Sequence, residues 1–134
     1  MAKDKTKSAA NSGKMSREKG KRGEREVAST FRKAGFEEAR RSVQYCGRAG
    51  TADVVGVPGY HIEVKRCENG EGKTRVWYEQ AKRDSAQTGD VPVVVYRRNG
   101  EEYLVTVTLK DFINLIQIPA PEERGQKGRP NGNQ

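Results

Sequence analysis

The sequence predicts an α/β fold in which a mixed central β-sheet carries flanking helices, in the order α-β-β-β-α-β-β-α. Three observations predict it. Apolar residues recur at helical spacing in three separate stretches. Short alternating or apolar runs bounded by Gly, Pro or Asn lie between those stretches. The chain has 134 residues, enough for one compact domain with a modest core but not for two.

The first helix is expected over residues 20–34, where Val27, Ala28, Phe31 and Ala34 form one stripe. Arg32 and Lys33 suit its last turn, and Gly35 supplies the stop. Residues 39–45 read as an extended edge segment. Residues 52–57 and 60–67 flank Pro58-Gly59, a dipeptide suited to a tight type II turn, so these two strands should pair as a hairpin. A polar loop over 68–74 leads into a second helix from about 75 to 87, with Trp77, Gln80, Ala81 and Asp84 along one face. Helical spacing makes Trp77 a core anchor there. Residues 91–96 form an apolar strand with Pro92 near its start, and residues 97–100 turn into a last strand over 102–108. Thr108 with Asp111 three positions on resembles a capping box opening a short helix over 109–116.

Residues 1–19 are rich in Lys, Ser and Ala without an apolar period, and residues 119–134 in Pro, Gly and charge, so both are expected to be disordered in isolation. The folded domain should therefore span residues 20–118, a common domain size. No apolar run reaches the length of about 20 residues that spans a bilayer, and the N-terminus lacks the apolar segment of a secretory signal. The expectation is a cytoplasmic protein without a membrane partner, in a bacterial or archaeal cell or an infected host. Cys46 and Cys67 show no metal-knuckle or disulfide spacing and read as ordinary thiols.

The net charge of +8 favours a polyanionic partner, and its distribution is informative. Residues 1–23 hold eight Lys and Arg against two acids, whereas residues 24–118 hold fifteen against fourteen. Any grip on nucleic acid by the nearly neutral body must come from a local cluster, assisted by the basic N-terminus. Arg40, Arg41 and Arg48 precede Asp53 in a stretch without acids, and Lys65 and Arg66 lie across the hairpin, which together suggest a phosphate track. Ser42 and Tyr45 offer hydroxyls to the same track, although an exposed loop of mixed composition is the commoner explanation.

The hairpin carries the chemistry. Strand alternation puts Glu63 and Lys65 on one side and Ile62 and Val64 on the other. Antiparallel return of the chain brings Asp53 within reach of Glu63. Two close carboxylates repel unless a cation lies between them. A hard ion such as Mg²⁺ suits oxygen donors, and Asp53, Glu63 and the backbone carbonyl of Val64 would supply them. Phosphodiester hydrolysis needs an in-line water and neutralisation of charge on the phosphate. For Lys65 an electrostatic role is favoured over that of general base, because the nearby carboxylates keep it protonated. Spacing alone leaves open a plainer reading, an Asp in a strand-end turn and a Glu/Lys pair on a solvated strand face. His61, the sole histidine, supports neither a His-based triad nor a zinc site and reads as a strand-face residue.

Asp53, then Glu63-Val64-Lys65 ten residues on within an apolar strand, resembles the signature of the PD-(D/E)XK nuclease superfamily, with Ala52 in place of its Pro. Lys21-Arg22-Gly23-Glu24-Arg25-Glu26-Val27, closing at Lys33-Ala34-Gly35-Phe36, is similar to the first helix of archaeal-type Holliday-junction resolvases and their phage relatives. The resemblance covers residues 20–96. It implies a restriction-endonuclease-like fold, Mg²⁺ or Mn²⁺ as cofactor, homodimers, and symmetric cleavage of four-way DNA junctions. It also implies that Glu24 is an additional acidic site residue, Arg25 its phosphate-contacting neighbour, and Gln80 a residue near the metal. Glu24 independently falls within the stripe of Val27, Ala28 and Phe31, where a carboxylate needs a partner or the N-terminal end of the helix dipole. Arg25 lies off that stripe, which fits a solvated position.

The expected function is thus a metal-dependent endonuclease resolving branched DNA. A nuclease of the same fold acting on linear or flapped duplex is the first alternative, and a nonenzymatic basic nucleic-acid-binding protein the second. So short a chain has little room for major-groove recognition elements, which argues for shape over sequence.

Overall fold

The computed structural model describes residues 2–43, 51–66, 68 and 72–117, with side chains from residue 11 onward. The elements are α1 (Ala2–Lys33), β1 (Arg40–Arg41), β2 (Val54–Val55), β3 (Tyr60–Arg66), α2 (Thr74–Ser85), β4 (Val91–Arg97), β5 (Leu104–Thr106) and α3 (Leu109–Gln117), the predicted order. Arg48, Tyr45, Cys46, Cys67 and the segment 119–134 lie outside the described residues.

The five strands form one sheet in the order β1-β2-β3-β4-β5. All neighbours are antiparallel except β3 and β4, which run parallel over their full length and are joined by the α2 crossover. Such a crossover covers one sheet face, and α1 covers the other, so the two central strands are buried on both sides. Under α1, Val27 and Ala28 pack on Ile62, Val64, Val93 and Val95. Under α2, Tyr78 and Ala81 pack on Val94, with Trp77 and Tyr96 at the margin. Trp77 contacts Tyr96 at a centroid separation of 5.7 Å but stays half-buried, while Tyr78, Ala81 and Ser85 take the covered face. The buried face of α2 is therefore rotated by one residue from the predicted one.

Two glycines fix the hairpin. Gly59 has φ +85° and follows Pro58 in a turn closed by Tyr60 N–H donating to the Val57 carbonyl at 3.3 Å. Only a residue without Cβ enters that region at no steric cost. Gly56 has φ +89°, and a Cβ there would lie 2.0 Å from the Glu38 carbonyl oxygen. The chain ahead of β1 thus presses directly on the end of β2.

Residues 1–19 were expected to be disordered in isolation, and the first helix to start at Gly20; α1 runs from Ala2. Residues 11–18 are exposed throughout, so packing does not hold them. The physical reason is propagation: helix nucleation is costly and each further residue is not, residues 20–33 already nucleate a packed helix, and no proline interrupts the preceding Ala-, Lys- and Met-containing run. At the other end Thr108 caps α3 as predicted, its hydroxyl accepting from Asp111 N–H at 3.1 Å.

Candidate active site

The β2–β3 pairing sets the site. The register Val54↔Ile62 puts Asp53 across from Glu63. Asp53 is then tied at three points. Its N–H donates to the Ile62 carbonyl (2.9 Å), its carbonyl accepts from Ser42 N–H (2.9 Å), and its Oδ2 accepts from Val64 N–H (2.8 Å). The N–H and C=O of one strand residue point the same way, so the Val64 carbonyl faces the Asp53 side.

The carboxyl groups of Asp53 and Glu63 hydrogen-bond to each other. Burial, followed by the Glu63 charge and that hydrogen bond, pushes Asp53 up to about 7, against the pull of Val64 N–H. Burial pushes Glu63 upward too. Hydrogen bonds from His61 and Asp53, with the charges of His61 and Lys65, outweigh it and hold Glu63 below the usual range. The two carboxyls are thus pushed apart in acidity, Asp53 toward its neutral form and Glu63 toward its charged one. His61 is raised above its ordinary value, chiefly by its hydrogen bond to Glu63, with burial opposing.

Around this pair, Lys65 Nζ donates to Gln80 Oε1 at 3.4 Å, so α2 brings Gln80 beside Lys65. Glu24 is half-buried on α1 and paired with Arg41 Nε at 2.5 Å, close enough that its charge contributes to raising Asp53. Two residues that the sequence reading gave no metal role, His61 as a strand-face residue and Asp84 on the face of α2, also lie here. His61 Nε2 lies 2.8 Å from Glu63 Oε1, and His61, Glu63 and Asp84 hold their ligand atoms within 4.8 Å of one another. The available signals were His61 two positions before Glu63 on the same strand face, and Asp84 one helical turn beyond Gln80.

The predicted cations divide. Arg40 is exposed, with Nη1 donating to the Glu38 carbonyl, and Arg25 is exposed on α1. Arg41 is engaged by Glu24. Arg66, expected beside Lys65, is corrected: it has the parity of Ile62 and Val64 and faces α1, where Gly23 makes room for its stem. Its side chain is 7% exposed and lies 3.6 Å from Glu26, which also meets Arg97 and the Tyr103 hydroxyl. The structure does not bring Arg66 to the carboxylate face.

The donor set fits a divalent cation. Two close carboxyls, Glu63 buried and Asp53 half-buried, form an all-oxygen pair whose repulsion an ion would relieve. Paired strands presenting Asp53 against Glu63-Val64-Lys65, in a mixed sheet clad by helices on both faces, define the PD-(D/E)XK nuclease class. The family model described as "Phage putative PDDEXK endonuclease" matches residues 15–121, and the chain belongs to that family. No curated protein and no solved structure matches the chain. Among the described residues, no helix is long and apolar enough to cross a membrane.

Proposed function

We propose that the protein is a divalent-metal-dependent DNA endonuclease, with four-way junctions as its preferred substrate and Mg²⁺ or Mn²⁺ as its ion. The observation that carries the reading is the β2–β3 register, which sets the Asp53 carboxyl across from Glu63 with Val64 N–H donating to Asp53 Oδ2 at 2.8 Å. Asp53, Glu63 and the Val64 carbonyl would hold that ion. When bound, it would supply charge neutralisation at the scissile phosphate and a more acidic attacking water. Lys65, steadied by Gln80, places an ammonium beside the carboxylates, where it offsets charge developing on the phosphate. Glu24 positions Arg41 near Asp53, and Arg25 and Arg40 supply exposed cations for the phosphate backbone, joined by Arg48 in this reading.

Junction preference is supported by the similarity of residues 21–36 to the first helix of the junction resolvases. Symmetric cutting of a junction requires two centres, hence a homodimer. The exposed apolar residues Leu109, Phe112 and Ile116, one stripe of α3, support a second copy as the cover for that helix face. Action in the cytoplasm, in recombination or phage DNA processing, completes the proposal.

The test incubates the protein with a four-way junction, a flap and a linear duplex, in Mg²⁺ or EDTA, beside Asp53→Asn and Glu63→Gln. The expected result is Mg²⁺-dependent, paired cuts in the junction, with both variants binding it but leaving it whole. Preferential cutting of flap or linear DNA would replace the substrate assignment. Binding with no cleavage in any metal would overturn the enzyme reading in favour of a basic DNA-binding protein.

A further inference from the structure

We infer that His61, Glu63 and Asp84 form a second cation site, suited to a transition ion such as Mn²⁺ or Zn²⁺ and bridged through Glu63 to the oxygen-only site at Asp53. The inference rests in part on the proposed metal-dependent reading, because the two sites share Glu63.

Geometry comes first. Divalent ions with bonds of about 2.1 Å hold adjacent donors about 3 Å apart. The separation of His61 Nε2 and Glu63 Oε1 is 2.8 Å, one edge of such a polyhedron already in place. Asp84, half-buried on α2, faces the same pair with all three ligand atoms inside 4.8 Å, and a small side-chain rotation closes the set. The three come from rigid elements, two from one face of β3 and one from the helix packed over it.

Charge and burial add a second line. His61 and Glu63 are 3% and 4% exposed. Asp53, Glu63 and Asp84 bring three carboxyls to this face. The basic groups facing them are Lys65, already bound to Gln80, and the imidazole itself, while Arg41 is committed to Glu24. Carboxylates gathered at low exposure favour a bound cation, and an ion at Asp53 leaves the Asp84 end to the imidazole alone. His61 also borders a cleft of ≈ 500 Å³ formed with Thr51, Gly59, Gln87 and Asp90.

Ligand chemistry sets the ion. Mg²⁺ favours oxygen donors and waters, whereas an imidazole nitrogen with carboxylates suits Mn²⁺, Zn²⁺ and their neighbours. Mg²⁺ is therefore expected to fill the Asp53 side alone, and Mn²⁺ both sides.

His61 is the only histidine in the sequence, which makes the test unambiguous for tag-free protein. Mn²⁺ stoichiometry by titration calorimetry and imidazole ¹⁴N coupling by pulsed electron paramagnetic resonance would be measured for wild type, Asp53→Asn, His61→Gln and Asp84→Asn, each checked for folding by circular dichroism. Wild type should take two ions per chain, one with ¹⁴N coupling. Asp53→Asn should keep the nitrogen-coupled ion. His61→Gln should lose it, and Asp84→Asn should bind it at least about tenfold more weakly. Should His61→Gln fail to fold, Asp84→Asn and Asp53→Asn still decide. Bound Mn²⁺ without ¹⁴N coupling in wild type, or an unaltered second ion in Asp84→Asn, overturns the inference. A wild type that cleaves DNA with one oxygen-bound ion sinks this site and leaves the nuclease reading standing. A nitrogen-coupled ion without cleavage in any metal does the reverse.

Discussion

Lys65 shows how a single side chain acquires a role from its neighbours. It stands between Glu63 on its own strand and Gln80 on the covering helix, an ammonium held in place but still available to a phosphate oxygen. Lys65→Ala should lower the cleavage rate by about 10²–10³, the usual cost of removing one preorganised donor, with little change in DNA affinity. Rates measured at saturating DNA test this, and a loss confined to KM would contradict it. The titrating groups set a pH dependence for the metal-free protein. Asp53, raised from 3.8 to about 7, and His61, raised from 6.5, each contribute stability that is full below the ordinary value and lost as pH rises through the folded one. Glu63, lowered from 4.5, acts in the opposite sense only in acid. In EDTA the Tm should therefore fall as pH climbs from about 5 past 7, and Asp53→Asn should flatten the fall; a Tm that climbs over this window would refute the assignment. At this scale, the facing carboxyls were legible from strand parity and hairpin return alone. The His61–Asp84 approach was not, because it depends on how α2 sits across the sheet, which residue spacing does not encode. Arg66 was misplaced although its own parity with Ile62 and Val64 pointed the other way.

Among the elements, the β2–β3 hairpin carries most of the positional information. Pro58-Gly59 announced it, and the turn forms where those residues stand. Less visible in sequence was Gly56, whose requirement comes from a distant segment: the Glu38 carbonyl occupies the space a Cβ would need. Gly56→Ala adds strain at positive φ to a backbone clash and should destabilise the fold by about 3 kcal/mol or more. Chemical denaturation would measure it, and a cost under about 1 kcal/mol would mean the approach relaxes freely. The strand pattern also misled in one respect. An alternating charged face on β3 reads as solvated, but the parallel crossover lays α2 over it, so Glu63 is buried.

The whole molecule is asymmetric in charge and in cover. Positive charge is concentrated in residues 1–23, along an N-terminal helix whose residues 11–18 are exposed throughout. Deleting residues 1–19 should weaken DNA binding and make its logarithmic salt slope shallower by roughly 0.9 for each phosphate no longer neutralised, while cleavage persists. Binding titrations across salt concentrations would show this, and abolished turnover would instead tie the helix to the chemistry. On the far side, α3 buries none of its residues. Leu109→Glu with Ile116→Glu should convert the proposed dimer to a monomer in light scattering, and a dimer that persists would place its interface elsewhere. The fold order was readable because each element kept its own period. The extent of α1 was not, since helix propagation beyond a packed segment leaves no apolar trace.

The close approach of two acidic groups across the hairpin has a cost outside catalysis. A protein kept for heat resistance alone would be expected to discard one of them: in the absence of metal, Asp53→Asn should give a chain that survives higher temperatures and performs no work. Screens that enrich tolerant variants without assaying DNA cleavage would drift toward that inert form.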